Sequence, residues 1–140
     1  MVYRIYVEKK QGLTAEADAL RNDIVNLLGI KGLTGLRLLN RYDAEQLDKD
    51  LFDYCTKTVF SEPQLDDLRE EIPTDGAAVF AVEYLPGQFD QRADSAVQCV
   101  QFLKEDEQPI IKSATTYVIE GNITDEEFEA IKNHCINPVD

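Results

Sequence analysis

The chain has 140 residues and a mass of 15.9 kDa, the size of one domain or of two very small halves that share a core. Apolar residues make up 44% and are evenly spread, which excludes wholesale disorder. There are 14 basic and 27 acidic side chains, a net charge of −13, and such a surface repels nucleic acid and anionic membranes.

The first segment, Val2 to Glu8, has strand composition with partial alternation. Gly12 breaks it, and Thr14 is placed to cap a helix over about residues 15–28. Ala17, Leu20, Ile24, Leu27 and Leu28 fall on one face of that helix, which Gly29 and Gly32 end. Residues 34–42 read as a second strand, residues 43–55 as a short acidic helix, and Thr58-Val59-Phe60 as a short strand stopped by Pro63. Residues 64–76 are acidic, contain Pro73 and Gly76, and lack a sustained apolar pattern; they read as a linker.

The order then begins again. Residues 77–85 read as a buried strand and Pro86-Gly87 as a turn. A helix is predicted over about 91–104, with Ala93, Ala96, Val97, Val100 and Leu103 at helical spacing. Residues 113–120 read as a strand ended by Gly121. Thr124-Asp125-Glu126-Glu127 is a capping box that opens a last helix running to about Cys135. Residues 136–140 read as the start of an extended segment, which implies a piece of a longer polypeptide.

A β-α-β-α-(β) order thus occurs twice, at an offset of about 77 residues. Leu51 and Tyr54 are matched with Phe128 and Ile131, and Thr58 to Pro63 with His134 to Pro138. Each half alone would bury too little apolar surface for comfortable stability. The expected fold is α+β: a two-layer α/β sandwich of two fused halves, about 1–63 and 77–140, with a mixed or antiparallel sheet and a pseudo-two-fold axis, each half burying the other's open face.

The sequence lacks a phosphate-binding glycine loop, a dinucleotide fingerprint and a nucleophile elbow. Cys55, Cys99 and Cys135 are too far apart for a C-x-x-C pair and read as reduced thiols of a cytoplasmic protein, with Cys99 and Cys135 in the core. One His and scattered Cys make no zinc site. The acidic clusters at 66–67, 70–71 and 105–107 lack a calcium-loop pattern and read as solvated. No catalytic residue, metal ligand or cofactor is therefore expected within the chain itself.

One segment stands out: Pro86-Gly87-Gln88-Phe89-Asp90-Gln91-Arg92-Ala93-Asp94-Ser95-Ala96. It straddles a helix N-terminus, where free amides and the dipole favour anions. Asp90 is positioned to cap. Arg92 is the only basic residue between Arg69 and Lys104 and offers a fork for carboxylate or phosphate. Gln88, Phe89, Asp90, Gln91, Arg92, Asp94 and Ser95 are the candidate site residues.

The stretch from Val82 to Cys99 resembles the N-terminal domain of the large, single-chain phosphoribosylformylglycinamidine synthases of clostridial and related bacteria. Arg4 to Lys10, Gly29 to Leu33, Leu39 to Asp43, Phe60 to Pro63 and Ile136 to Val139 resemble the same domain in the same order. The resemblance implies a part of an enzyme of purine biosynthesis, a C–N ligase that uses glutamine, ATP and Mg²⁺. It implies downstream synthetase and glutaminase domains as partners, and a fold of two fused copies of the small dimeric subunit PurS. In this reading the segment from Pro86 to Ser95 faces the synthetase domain. Arg92 meets a carboxylate or phosphate, Gln88, Asp90, Gln91 and Ser95 orient it, and Phe89 is an apolar anchor. An unfinished final strand would leave an edge open to pairing with a second copy. Two other readings are a free-standing dimeric α/β regulatory module for a small ligand such as an amino acid, and an acidic mimic of nucleic acid.

Overall fold

The computed structural model describes residues 2–72, 78–85 and 87–136. The elements are β1 (Tyr3–Lys9), α1 (Ala15–Leu27), β2 (Leu33–Glu45), α2 (Lys49–Thr58), β3 (Asp66–Arg69), β4 (Ala78–Glu83), α3 (Gln91–Leu103), β5 (Ile110–Gly121) and α4 (Asp125–Ile136). The strands form one antiparallel sheet in the order β3-β1-β2-β5-β4. The fold is α+β and compatible with a two-layer sandwich of β-α-β-α-β halves.

The sheet order shows how the halves join. β2 and β5 are long and pair along nearly their whole length, with Leu39 opposite Thr116 at the middle. A two-fold through that pair carries β2 onto β5, α1 onto α3 and α2 onto α4, and relates β1 to β4. The halves therefore meet edge to edge and share a continuous sheet, rather than face to face as the burial argument suggested. An edge-to-edge junction satisfies the backbone donors and acceptors of both central strands while all four helices still cover one face.

That helical face carries two apolar clusters. In the first, α2 and α3 place Phe52, Cys55, Ala96 and Val100 on Ile5, Val7, Tyr42, Ala44 and Ile111. In the second, α1 and α4 place Ala17, Ile24 and Ile131 on Leu33, Leu36 and Ile119. Each cluster draws one helix from each half. Phe52 and Cys55 of α2 recur as Phe128 and Ile131 of α4, so the sequence match of Leu51 and Tyr54 was one residue out of phase; Tyr54 is exposed. The opposite face buries Tyr6, Leu39 and Val118 under Ile72 and Val79. Two ion-pair groups flank that patch: Glu8 with Arg37 and Arg69, and Asp43 with Arg4 and Arg41, which also reaches Glu83.

Several boundaries differ from the sequence reading. β2 runs through Asp43 to Glu45, because Asp43 is opposite both Arg4 and Lys112 and its carboxylate is paired; α2 consequently starts six residues later than predicted, capped by Asp48, which accepts from the Leu51 amide at 2.8 Å. Thr58 closes α2 instead of opening a strand. The third strand is β3, inside the segment read as a linker. It is held by Lys9 on Asp66 and Lys10 on Asp67, at 3.1 and 2.9 Å, rather than by apolar alternation. Thr14 occupies the N-cap of α1 but makes no side-chain cap bond. The Thr124–Glu127 capping box forms as predicted, at 3.1 and 3.0 Å. Residues 73–77, the Pro86 of the predicted turn and the extended segment 137–140 lie outside the described residues.

One close approach explains two glycines. The end of β5 crosses the start of β2, where the Asn122 amide donates to Gly32 O at 3.1 Å. A Cβ on Gly32 would strike the Asn122 carbonyl, and one on Gly121, whose φ is +129°, would strike Gly32.

Candidate functional site

The site is built around the start of α3. The connection from β4 to α3 spans residues 84–90, against residues 10–14 between β1 and α1, so the second half carries the longer loop. Asp90 takes an extended conformation and caps α3 by accepting from the Ala93 amide at 3.0 Å. The same carboxylate accepts from the Ser113 amide at 2.7 Å and the Ser113 hydroxyl at 2.6 Å. Asp90 thus locks α3 to β5, and its oxygens are committed to this scaffold.

The other predicted residues divide by position. Gln88 folds back so that its Oε1 accepts from the Leu85 amide at 2.6 Å, and like Asp90 it shapes the loop. Asp94 accepts from Gln98 along the helix at 2.9 Å. Phe89 is 69% exposed, beside exposed Tyr84 and Leu85. Gln91, Arg92 and Ser95 are brought together on the wall of a cleft of about 440 Å³, with Tyr42, Val59, Tyr84 and Cys99. Cys99, placed in the core by sequence, is exposed; Cys135 is half-buried and Cys55 is the fully buried thiol. Burial pushes Cys55 up, reinforced by Asp48, and holds Cys135 at about 11, so both stay protonated near neutral pH.

Arg92 and Tyr42 also line a second cleft of about 720 Å³. It lies over the seam of the helical face, between the two apolar clusters, and includes Asn40 and Thr115 on the sheet and Thr14 to Ala17 at the start of α1. Tyr42 stacks on Phe60 at 4.8 Å. Burial raises its phenol, the neighbouring Arg92 opposes that shift, and Asp90 and Asp66 add to it. Arg92 is exposed, faces the Tyr42 phenol and forms no ion pair among the described residues. The described residues contain no group of three or more His, Cys, Asp or Glu placed to hold a metal ion.

Sequence reasoning missed Tyr42, Asn40 and Thr115. A signal existed: Asn40 interrupts the apolar series Leu36, Leu38, Tyr42, Ala44 on one strand face, and a polar residue at such a position calls for a partner.

Replacing Asp90 with alanine removes a cap and leaves two Ser113 donors without their acceptor. The expected loss is about 2–3 kcal/mol, read as a lower urea midpoint with an unchanged slope. A loss under about 0.5 kcal/mol would show that water replaces the carboxylate and that the lock is dispensable.

The fold and clefts define a pseudo-two-fold α+β domain with one elongated loop and an exposed arginine, Arg92, where two grooves meet. Comparison of the chain with protein-family models, curated proteins and solved structures returns no match.

Proposed function

We propose that the chain is a PurS-like structural and coupling domain of phosphoribosylformylglycinamidine synthase, the glutamine- and ATP-dependent enzyme of purine biosynthesis. It docks on a synthetase domain and helps relate that site to the glutaminase site. ATP and Mg²⁺ are used by the synthetase; the chain holds neither.

One observation carries the reading. The central β2·β5 pair and the strand order β3-β1-β2-β5-β4 have the symmetry expected of two fused copies of a small dimeric subunit. The loop before α3 breaks that symmetry on one side only. It presents Tyr84, Leu85 and Phe89 to solvent beside exposed Arg92, which suits an interface with an apolar anchor and a charged contact.

Genetic complementation tests it. The complete reading frame that contains this chain is expressed in a purine auxotroph lacking the synthase. Growth without purine that is lost on deleting residues 1–140 is the expected result. Failure to grow, or growth indifferent to the deletion, overturns the proposal.

A further inference from the structure

We propose that the outer edge of β4 is the surface through which two copies of this chain pair, antiparallel about a two-fold axis, so that their five-stranded sheets become continuous. The inference rests on the sheet and stands apart from the assignment to a synthase.

The internal symmetry carries the argument. It relates β1 to β4, and β1 is paired along both edges. β2 lies on one side and β3 on the other, antiparallel, with Tyr6 opposite Arg69 and Lys9 opposite Asp66. The corresponding outer edge of β4 carries no strand among the described residues. That edge offers a row of backbone donors and acceptors in the geometry that β1 uses to hold β3.

Composition decides what fits there. β1 receives β3 through charge: Lys9 meets Asp66, and Lys10, just beyond the strand, meets Asp67. β4 reads Ala-Val-Phe-Ala-Val-Glu and has no cation, so an acidic strand such as β3 of another copy finds no match on it. Its one charged group, Glu83, lies at the end of the strand and is held by Arg41 at 2.7 Å. The rest is small or apolar, and its best complement is its own sequence. In an antiparallel pair centred on Phe80 or Ala81, apolar side chains meet across the junction and the two Glu83 carboxylates lie at opposite ends. Such an edge is self-complementary, so a two-fold closes it. On a chain of net charge −13, a rim whose single charge is already paired lets two copies approach.

The edge is also held ready. Phe80 stacks on Tyr117 at 4.7 Å and meets Phe128 edge-on at 5.7 Å, and Val79 packs on the patch of Tyr6, Leu39 and Val118. Yet Ala78 and Ala81 are exposed, and Val79, Phe80 and Val82 are only partly covered. Little ordering is left to be done on pairing.

A ladder of six residues is a small interface, and a Kd on the order of tens of micromolar is expected. The experiment is sedimentation equilibrium of the chain from about 1 μM to about 1 mM, with amide hydrogen exchange read by mass spectrometry at both ends of that range. The mass should rise from 15.9 kDa towards twice that value. The amides of Ala78–Glu83 should exchange more slowly in the concentrated sample, while those of Asp66–Arg69 should not change. Ala81→Lys, which sets like charges near the two-fold, should weaken self-association about tenfold or more. Gln101→Lys, the same change of charge at an exposed position of α3, should associate like the parent. A mass of one chain throughout, self-association without slower exchange in β4, or Ala81→Lys associating as tightly as the parent overturns the proposal. Exchange in the parent chain decides the matter should the lysine variant not fold.

Discussion

Glu8→Ala is expected to lower stability by about 3 kcal/mol at neutral pH, at the low end for a broken buried ion pair. Glu8 is 7% exposed. Its Oε1 accepts from Arg37 Nη2 at 2.6 Å and Arg69 Nε at 2.8 Å, and its Oε2 accepts from Arg37 Nε at 2.7 Å. Removing the carboxylate leaves two guanidinium groups without their shared acceptor on a sheet face. Both are partly open to water, which keeps the cost from being larger. Burial alone would push the Glu8 carboxyl up, but hydrogen bonds from Arg37 and Arg69 outweigh it and hold the group below its ordinary value. A depressed carboxyl contributes stability that is fully present above its unfolded value, near ~4.3, and is lost as pH falls through the lower, folded value. Urea midpoints at pH 7 and pH 3 should therefore differ less for Glu8→Ala than for the parent chain. Equal pH dependence in the two would reject Glu8 as the linked group.

The second large effect concerns the two apolar clusters. Ile24 and Val100 are both fully buried, one beneath α1 and the other beneath α3, at related positions of the two halves. Ile24→Ala should cost about 3–4 kcal/mol and Val100→Ala about 2–3 kcal/mol, from lost transfer energy and the cavity left behind. For a domain with a typical 5–15 kcal/mol of stability, either loss is a large fraction. Because β2 and β5 belong to one ladder and each cluster contains a helix from both halves, damage to one should spread to the other. Each variant should melt in one transition seen identically by far-UV circular dichroism and by tyrosine fluorescence. Two separated transitions would mean that the halves fold independently and that the shared sheet couples them weakly.

Much of this was legible in the chain. Ile24 and Val100 announce themselves by helical spacing, and Asp90 and Thr124 by cap chemistry, because those signals are local. β3 was not legible: its sequence, Asp-Asp-Leu-Arg, has turn composition, and its charged partners are Glu8 and Lys9 of β1 and Lys10 just after it. The extension of β2 through Asp43 was hidden for a similar reason, since its partners Arg4 and Lys112 are remote in sequence. For Cys99, helical spacing places it near the apolar face but cannot tell that a cleft opens there. The candidate site shows the same division. Its α3 residues were found from helix-start chemistry, while Tyr42, Asn40 and Thr115 come from strands whose meeting across the seam is a tertiary fact.

The strand order leaves the two outer rims of the sheet unlike each other. On one side β3 is four residues long and bristles with charge, a poor template for another chain. On the other, β4 reads Ala-Val-Phe-Ala-Val-Glu and bonds to β5 alone among the described residues. Main-chain pairing with a second copy is therefore expected at the β4 rim, while the charge of β3 disfavours it on the other side.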